Sequence, residues 1–202
     1  MDWDKAAEQL VNNLPSDIID IMSLLGTRWG PECFLGGGAV RDLLLGKEVK
    51  DWDFYFPYTP MDESLSVIQQ LKMILGDKYK ISNYTFDPDS YLITHYSDHY
   101  LVLAVTSQVT IPGKKFDFIF SGQKISDFDH AICQCSINCA TFELETTKWF
   151  DRCVTDKIHR IFTCNLNTSY VTNKAIHDHT KRIQSKYPWP IFLETGIKFN
   201  YV

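Results

Sequence analysis

Apolar and polar positions along this chain repeat with two different periods, and the switches between them predict its elements. From Ser16 to about Arg28, Ile18, Ile21, Met22 and Leu25 recur at helical spacing, with Ser16 as the expected cap. Cys33–Leu35 reads as a short strand entering Gly36-Gly37-Gly38, and Ala39–Leu45 as a short helix closed by Gly46. Asp51–Phe56 alternates as a strand does. Thr59 then caps a helix with Pro60 in its first position, running to about Leu75 and ending at Gly76. Tyr79–Phe86, Tyr91–His95, Tyr100–Ile111 and Lys115–Phe120 read as strands, with Pro112-Gly113 turning the chain between the last two. Phe128–Phe142 and Asn173–Tyr187 read as helices. Helices interleaved with hairpins predict an α+β fold with a central mixed or antiparallel sheet.

At 202 residues the chain is expected to form one domain with at most an appendage. We place a core at 1–150 and a short basic helical end at 151–202. Apolar content of 45% and charged content of 22% are ordinary for a globular chain, and no apolar run reaches the ~18 residues of a membrane span. The N-terminus lacks the basic-then-apolar order of a secretion signal, so a cytoplasmic setting and reduced thiols are expected. Residues 1–147 carry 11 basic against 21 acidic side chains, net −10, whereas residues 148–202 carry 9 against 4, net +5. The chain as a whole has no field to draw in nucleic acid, but its basic end leaves room for a local patch. Cys133, Cys135 and Cys139, near His130, do not have the spacing of a zinc knuckle, and buried thiols are the expected reading.

Two stretches concentrate the chemistry. Glycines at a strand-to-helix junction let a phosphate approach the backbone, but Gly36-Gly37-Gly38 is neither a P-loop nor a GxGxxG motif, and taken alone it is equally a tight turn. Lys50-Asp51-Trp52-Asp53-Phe54 sharpens the reading. On a strand, Asp51, Asp53 and Tyr55 project to one side and Trp52, Phe54 and Phe56 to the other. Two carboxylates about 7 Å apart repel, and a divalent cation relieves that repulsion. The design recurs at Phe116-Asp117-Phe118-Ile119-Phe120, where Asp117 opposes an apolar face. A third carboxylate on an adjacent strand would complete a two-metal site for phosphoryl displacement. For Asp117 taken alone, a solvent-facing polar position is the simpler explanation.

Leu35-Gly36-Gly37-Gly38-Ala39-Val40-Arg41-Asp42-Leu43-Leu44-Leu45-Gly46, followed by Asp51-Trp52-Asp53, resembles the head-domain signature of class II nucleotidyltransferases. That family contains the bacterial-type CCA-adding tRNA nucleotidyltransferases and bacterial poly(A) polymerases, within the DNA polymerase beta superfamily. The resemblance is sharp over residues 34–56 and a looser pattern over 57–150. It implies a nucleotidyltransferase head-type sheet flanked by helices. It implies Asp51, Asp53 and Asp117 as catalytic, metal-binding carboxylates for Mg²⁺ or Mn²⁺, with Asp127 and Asp129 as runners-up to Asp117. It also implies Gly37, Gly38, Arg41 and Lys50 as the nucleotide-binding set, with Arg41 and Asp42 holding the loop and helix in register. Phe128-Asp129-x-x-x-Cys133 resembles a motif of small stand-alone members of the superfamily in large viruses and phages, where the setting would be the host cytoplasm.

The family's templating Glu-Asp-x-x-Arg motif has no counterpart in this sequence, and the neck, body and tail helices would need roughly 200 residues more. The expectation is a minimal catalytic head that moves a nucleoside monophosphate from an NTP to an acceptor hydroxyl. The acceptor would be an RNA or tRNA 3′ end, or otherwise a protein or small molecule, and no membrane is involved. The alternative is a head that binds nucleotide or a partner without catalysis. Lys174, Lys181, Arg182 and Lys186, with Tyr187 and Trp189, read first as the outer face of a packed helix and second as an RNA contact. His95, His99, His130, His159, His177 and His179 show no metal-pair spacing and read as surface or core.

Overall fold

The computed structural model describes residues 3–57, 69–70, 73–74, 79–81, 101–107, 115–120, 124–162 and 170–194. Two helices open the chain, α1 (Trp3–Asn12) and α2 (Ser16–Trp29), followed by strand β1 (Phe34–Gly36), helix α3 (Gly38–Leu44) and strand β2 (Asp51–Phe56). Next come β3 (Tyr79–Ile81), β4 (Leu101–Ser107), β5 (Lys115–Phe120), β6 (Cys135–Asn138) and β7 (Leu144–Thr146). Helix α4 (Lys148–Asp156), strand β8 (His159–Phe162), helix α5 (Tyr170–Lys186) and strand β9 (Ile191–Glu194) complete it. Strands β1–β7 form one sheet in the order β3-β4-β5-β2-β1-β6-β7, and β8 pairs with β9 in a second, parallel ribbon. The large sheet is mixed: β2 and β5 run parallel, and its other pairs are antiparallel. The fold is α+β, as expected. None of the described helices is long and apolar enough to cross a membrane.

Strand alternation decides which residues each sheet face buries. Trp52, Phe54 and Phe56 of β2 join Phe116 and Phe118 of β5 beneath Ile18, Ile21, Met22 and Leu25 of α2. The rings of Phe54 and Phe56 sit 5.5 and 5.7 Å from that of Phe118. Tyr55 and Ile119, on the opposite face, join Phe128, Ile132, Cys153, Phe162, Ile183 and Tyr187 in a second cluster. That cluster docks α4 and α5 against the sheet and leaves a hollow at its edge.

Several boundaries fall as expected. β2 and β5 span the anticipated residues, α3 ends at Leu44 with Gly46 just beyond it, and β3 and β4 lie within the expected ranges, whereas β7, β8 and β9 have no counterpart among the expected strands. Two expectations are corrected. Ser16 begins α2 but makes no side-chain cap; Pro15 precedes the helix, and Asp17 Oδ1 accepts the Ile18 N–H at 3.1 Å. Phe128–Phe142 is not a helix: it holds a 3-10 turn at Ala131–Cys133 and then strand β6. Pairing with β1 on one side and β7 on the other gives β6 a ladder that local helical spacing could not reveal. Cys33, Cys133, Cys135, Cys139 and Cys153 are free and buried. The helix expected between Thr59 and Gly76, the strand at Tyr91–His95, and His95, His99 and Cys164 fall wholly or largely outside the described residues.

Candidate active site

Parallel pairing of β2 with β5 sets Asp53 directly beside Asp117, while antiparallel pairing with β1 sets Gly36 on the other side of Asp53. Register partners on neighbouring strands project to the same face, so Asp53 and Asp117 share the face opposite the Phe54 and Phe118 core. Asp51, two residues earlier, is exposed at the strand's start, and Asp53 and Asp117 are half-buried. Burial, then the like charges of Asp117 and Asp51, push the Asp53 carboxyl up from 3.8 to about 7, and Arg41 opposes them only in part. Near neutral pH the site therefore holds its full negative charge only at an energetic cost.

The glycine turn lies beside these acids. Gly37 has φ +67, a left-handed conformation that an L side chain rarely adopts, and it directly precedes α3. Its N–H donates to the Cys135 carbonyl at 3.0 Å, so Gly37 ties the turn to β6 and serves the hollow by lacking a side chain. Gly38 and Lys50 line the same hollow.

Arg41 is almost fully buried. Its Nε donates to Asp42 Oδ1 at 2.7 Å, its Nη2 stands 2.6 Å from the same oxygen in an ion pair, its Nη1 reaches Cys133 Sγ at 3.2 Å, and its guanidinium lies 5.4 Å from the Tyr187 ring centre. Burial works against the guanidinium charge, but Cys133 and Asp42 outweigh it and raise its pKa. Asp42 also accepts from Tyr187 Oη at 2.9 Å and from Lys186 Nζ. Arg41 and Asp42 thus lock α3 to α5 and to the 131–133 turn.

The hollow, a cavity of about 440 Å³, is lined on the sheet side by Asp51, Asp53 and Tyr55, and beside them by Phe128 and Asp129. Helix α5 closes the far wall with His179, Arg182, Ile183, Ser185 and Lys186. The first reading of the basic end is corrected for Arg182 and Lys186, which line the cavity, whereas Lys181 is exposed on a packed helix as that reading expected, and the Lys174 side chain lies outside the described residues. Arg182 and Lys186 do so because Ile183 and Tyr187 on the same helix are buried against the second core cluster, which turns that side of α5 toward the sheet. Tyr187 is spent on Asp42, and Trp189 stacks on His159 with ring centres 5.3 Å apart. Asp127 behaves as a cap, its Oδ2 accepting the Lys124 N–H at 3.0 Å. Asp129 reaches the cavity instead, beside His130 and His179, and the ligand atoms of these three all lie within 4.8 Å of one another. Sequence spacing could not reveal this group, because His179 stands 50 positions from Asp129 on a different element.

Three comparisons bear on this arrangement. Residues 33–185, about three quarters of the chain, match the Poly A polymerase head domain. The chain belongs to that family. It carries the nucleotidyltransferase fold of the class II head domain, as the signature implied. Poly(A) polymerase I of Salmonella typhimurium (strain LT2) is 32% identical over 71 residues, which is 35% of this chain and 15% of that protein. The Thermotoga maritima CCA-adding enzyme complexed with tRNA superposes with a TM-score of 0.65 at 18% identity, covering 94% of this chain and 42% of that one. A CCA-adding enzyme in complex with ATP gives a TM-score of 0.62 at 16% identity, with 92% and 42% coverage. The head-domain chain thus spans less than half the length of these solved relatives, and at such identity the superposition establishes the fold alone.

Proposed function

We propose that this head domain transfers a nucleoside monophosphate from an NTP to an acceptor hydroxyl, an RNA 3′ end, with release of pyrophosphate. The observation that carries the reading is the meeting of Asp51, Asp53 and Asp117 on one sheet face, beside the Gly37 turn and a cavity edged by cations. Carboxylate oxygens suit Mg²⁺ or Mn²⁺, and the Asp53 carboxyl, raised by burial and by the charges of Asp117 and Asp51, belongs to a donor set that a bound cation would relieve. Asp51, Asp53 and Asp117 would hold those ions, which supply Lewis-acid activation and charge neutralisation for phosphoryl transfer.

The remaining work belongs to the chain's own groups. Lys50 and Arg182, from different elements, both bring positive charge to the cavity, where a triphosphate would lie. Gly37 keeps the approach to the backbone open. The Arg41–Asp42 pair holds α5 over the site through Tyr187 and Lys186. Relatives named as poly(A) polymerases, and one solved in complex with tRNA, support an RNA 3′ hydroxyl as the acceptor.

The test is incorporation of α-labelled ATP or CTP into RNA and tRNA acceptors with Mg²⁺, alongside pyrophosphate release. Metal-ion catalysis supplies several kcal/mol, so Asp53→Asn lowers transfer by at least about 100-fold. Mg²⁺-dependent NTP binding with no transfer to any acceptor would instead make the chain a binding module on this fold.

A further inference from the structure

We propose that Asp129, His130 and His179 form a Zn²⁺ site that ties the 124–134 segment to α5 at the cavity wall. Asp129 and His130 precede the Ala131–Cys133 turn, and His179 projects from α5. The ligand atoms of all three lie within 4.8 Å of one another, and the two imidazole rings have centres 4.4 Å apart. Donors around a tetrahedral zinc with bonds of about 2.0–2.1 Å stand roughly 3.4 Å apart, so small side-chain rotations that open the Asp129–His130 pair and draw in the wider ones reach that geometry.

The state of His130 points to a cation. The residue is buried, and its Nε2 lies 2.9 Å from Thr180 Oγ1. Asp129 Oδ1 approaches its Nδ1 to 2.9 Å but off the ring's N–H direction, so this buried nitrogen makes no well-formed hydrogen bond. In the tautomer whose Nε2–H donates to Thr180, the Nδ1 lone pair converges on a carboxylate oxygen, a pairing that a shared cation stabilises. Thr180 then does what an outer partner does for a metal-bound imidazole: it fixes the tautomer and the ring orientation. Arg41 and Arg182 act on His179 electrostatically, which disfavours an ion held by charge alone. Two imidazoles and one carboxylate instead suit a nitrogen-binding transition ion, and His179 and Asp129 border the cavity, which leaves a fourth position for water.

The experiment is a Zn²⁺ titration of the EDTA-stripped full chain against a chromophoric chelator, with Co²⁺ absorption as the reporter of ligand type. We expect one equivalent bound, a tetrahedral Co²⁺ spectrum without thiolate bands, and a higher melting temperature with Zn²⁺. Thr180→Val weakens binding by about 10–100-fold, and His179→Gln weakens it further. Asp53→Asn leaves Zn²⁺ affinity within about twofold while removing the proposed Mg²⁺ site, so the two sites fail separately. His130→Gln is a second ligand variant; if it does not fold, His179→Gln on the cavity wall decides. Absence of stoichiometric binding, wild-type affinity in His179→Gln, or a cobalt–thiolate band from the buried cysteines each overturns the site.

Discussion

Replacing Asp53 with asparagine stabilises the ion-free protein at alkaline pH. Asp53 sits between Gly36 and Asp117 in the sheet, and its carboxyl titrates at about 7 instead of its ordinary 3.8. Between those values the folded protein keeps a proton that the unfolded chain has released. The stability this group contributes is therefore complete below about pH 4 and lost as pH rises through about 7. At about 1.4 kcal/mol per pH unit the interval corresponds to about 4 kcal/mol. The side chain keeps contact with the cavity, so solvent and relaxation reduce the cost, and we expect about 2 kcal/mol. For a chain of this length that is a rise of roughly 4–8 °C in Tm. The assay is thermal or urea unfolding of wild type and D53N in EDTA from about pH 4 to about pH 8.5. The two curves should coincide at the acid end and separate steadily above pH 5. Adding Mg²⁺ at about pH 8.5 should raise the wild type more than D53N, narrowing the gap. Equal stability at alkaline pH, or a D53N protein less stable there than wild type, would show that burial and the neighbouring carboxylates do not raise the Asp53 carboxyl.

Other consequences are simpler. Phe118→Ala removes a fully buried ring that touches both Phe54 and Phe56 and should cost about 3–5 kcal/mol, read as a lower urea midpoint at unchanged slope. A Cβ at Gly26 would overlap the Cys139 carbonyl, where α2 crosses the end of β6, so Gly26→Ala should destabilise by about 1–3 kcal/mol in the same assay. Tyr187→Phe deletes the hydroxyl that Asp42 accepts at 2.9 Å and should cost about 1–3 kcal/mol, a loss visible as faster hydrogen exchange in α5.

Much of the site was legible because its signals are local. The alternation in Asp51–Phe56 and Phe116–Phe120 separates an acidic face from an aromatic one within a few residues. The glycine turn and the following helix are adjacent in sequence as well. The misreading of Phe128–Phe142 shows the opposite case. Cys135 and Cys139 share a face on a helix and Cys135 and Ile137 share one on a strand, and only partners on both sides made the segment β6. Asp127 and Asp129 look equivalent on paper, yet one caps a turn and the other reaches the cavity.

Sequence alone determined the α+β class, the two faces of β2 and β5, and the family, since each depends on a short-range pattern that chain geometry turns directly into direction. Tertiary structure decided the rest. The parallel register that sets Asp117 beside Asp53 joins residues 64 positions apart, and the turn of α5 that brings Arg182 and His179 to the cavity follows from where Ile183 and Tyr187 find burial. Packing chooses such distant pairs by total burial and hydrogen bonding, quantities that no local window of sequence contains.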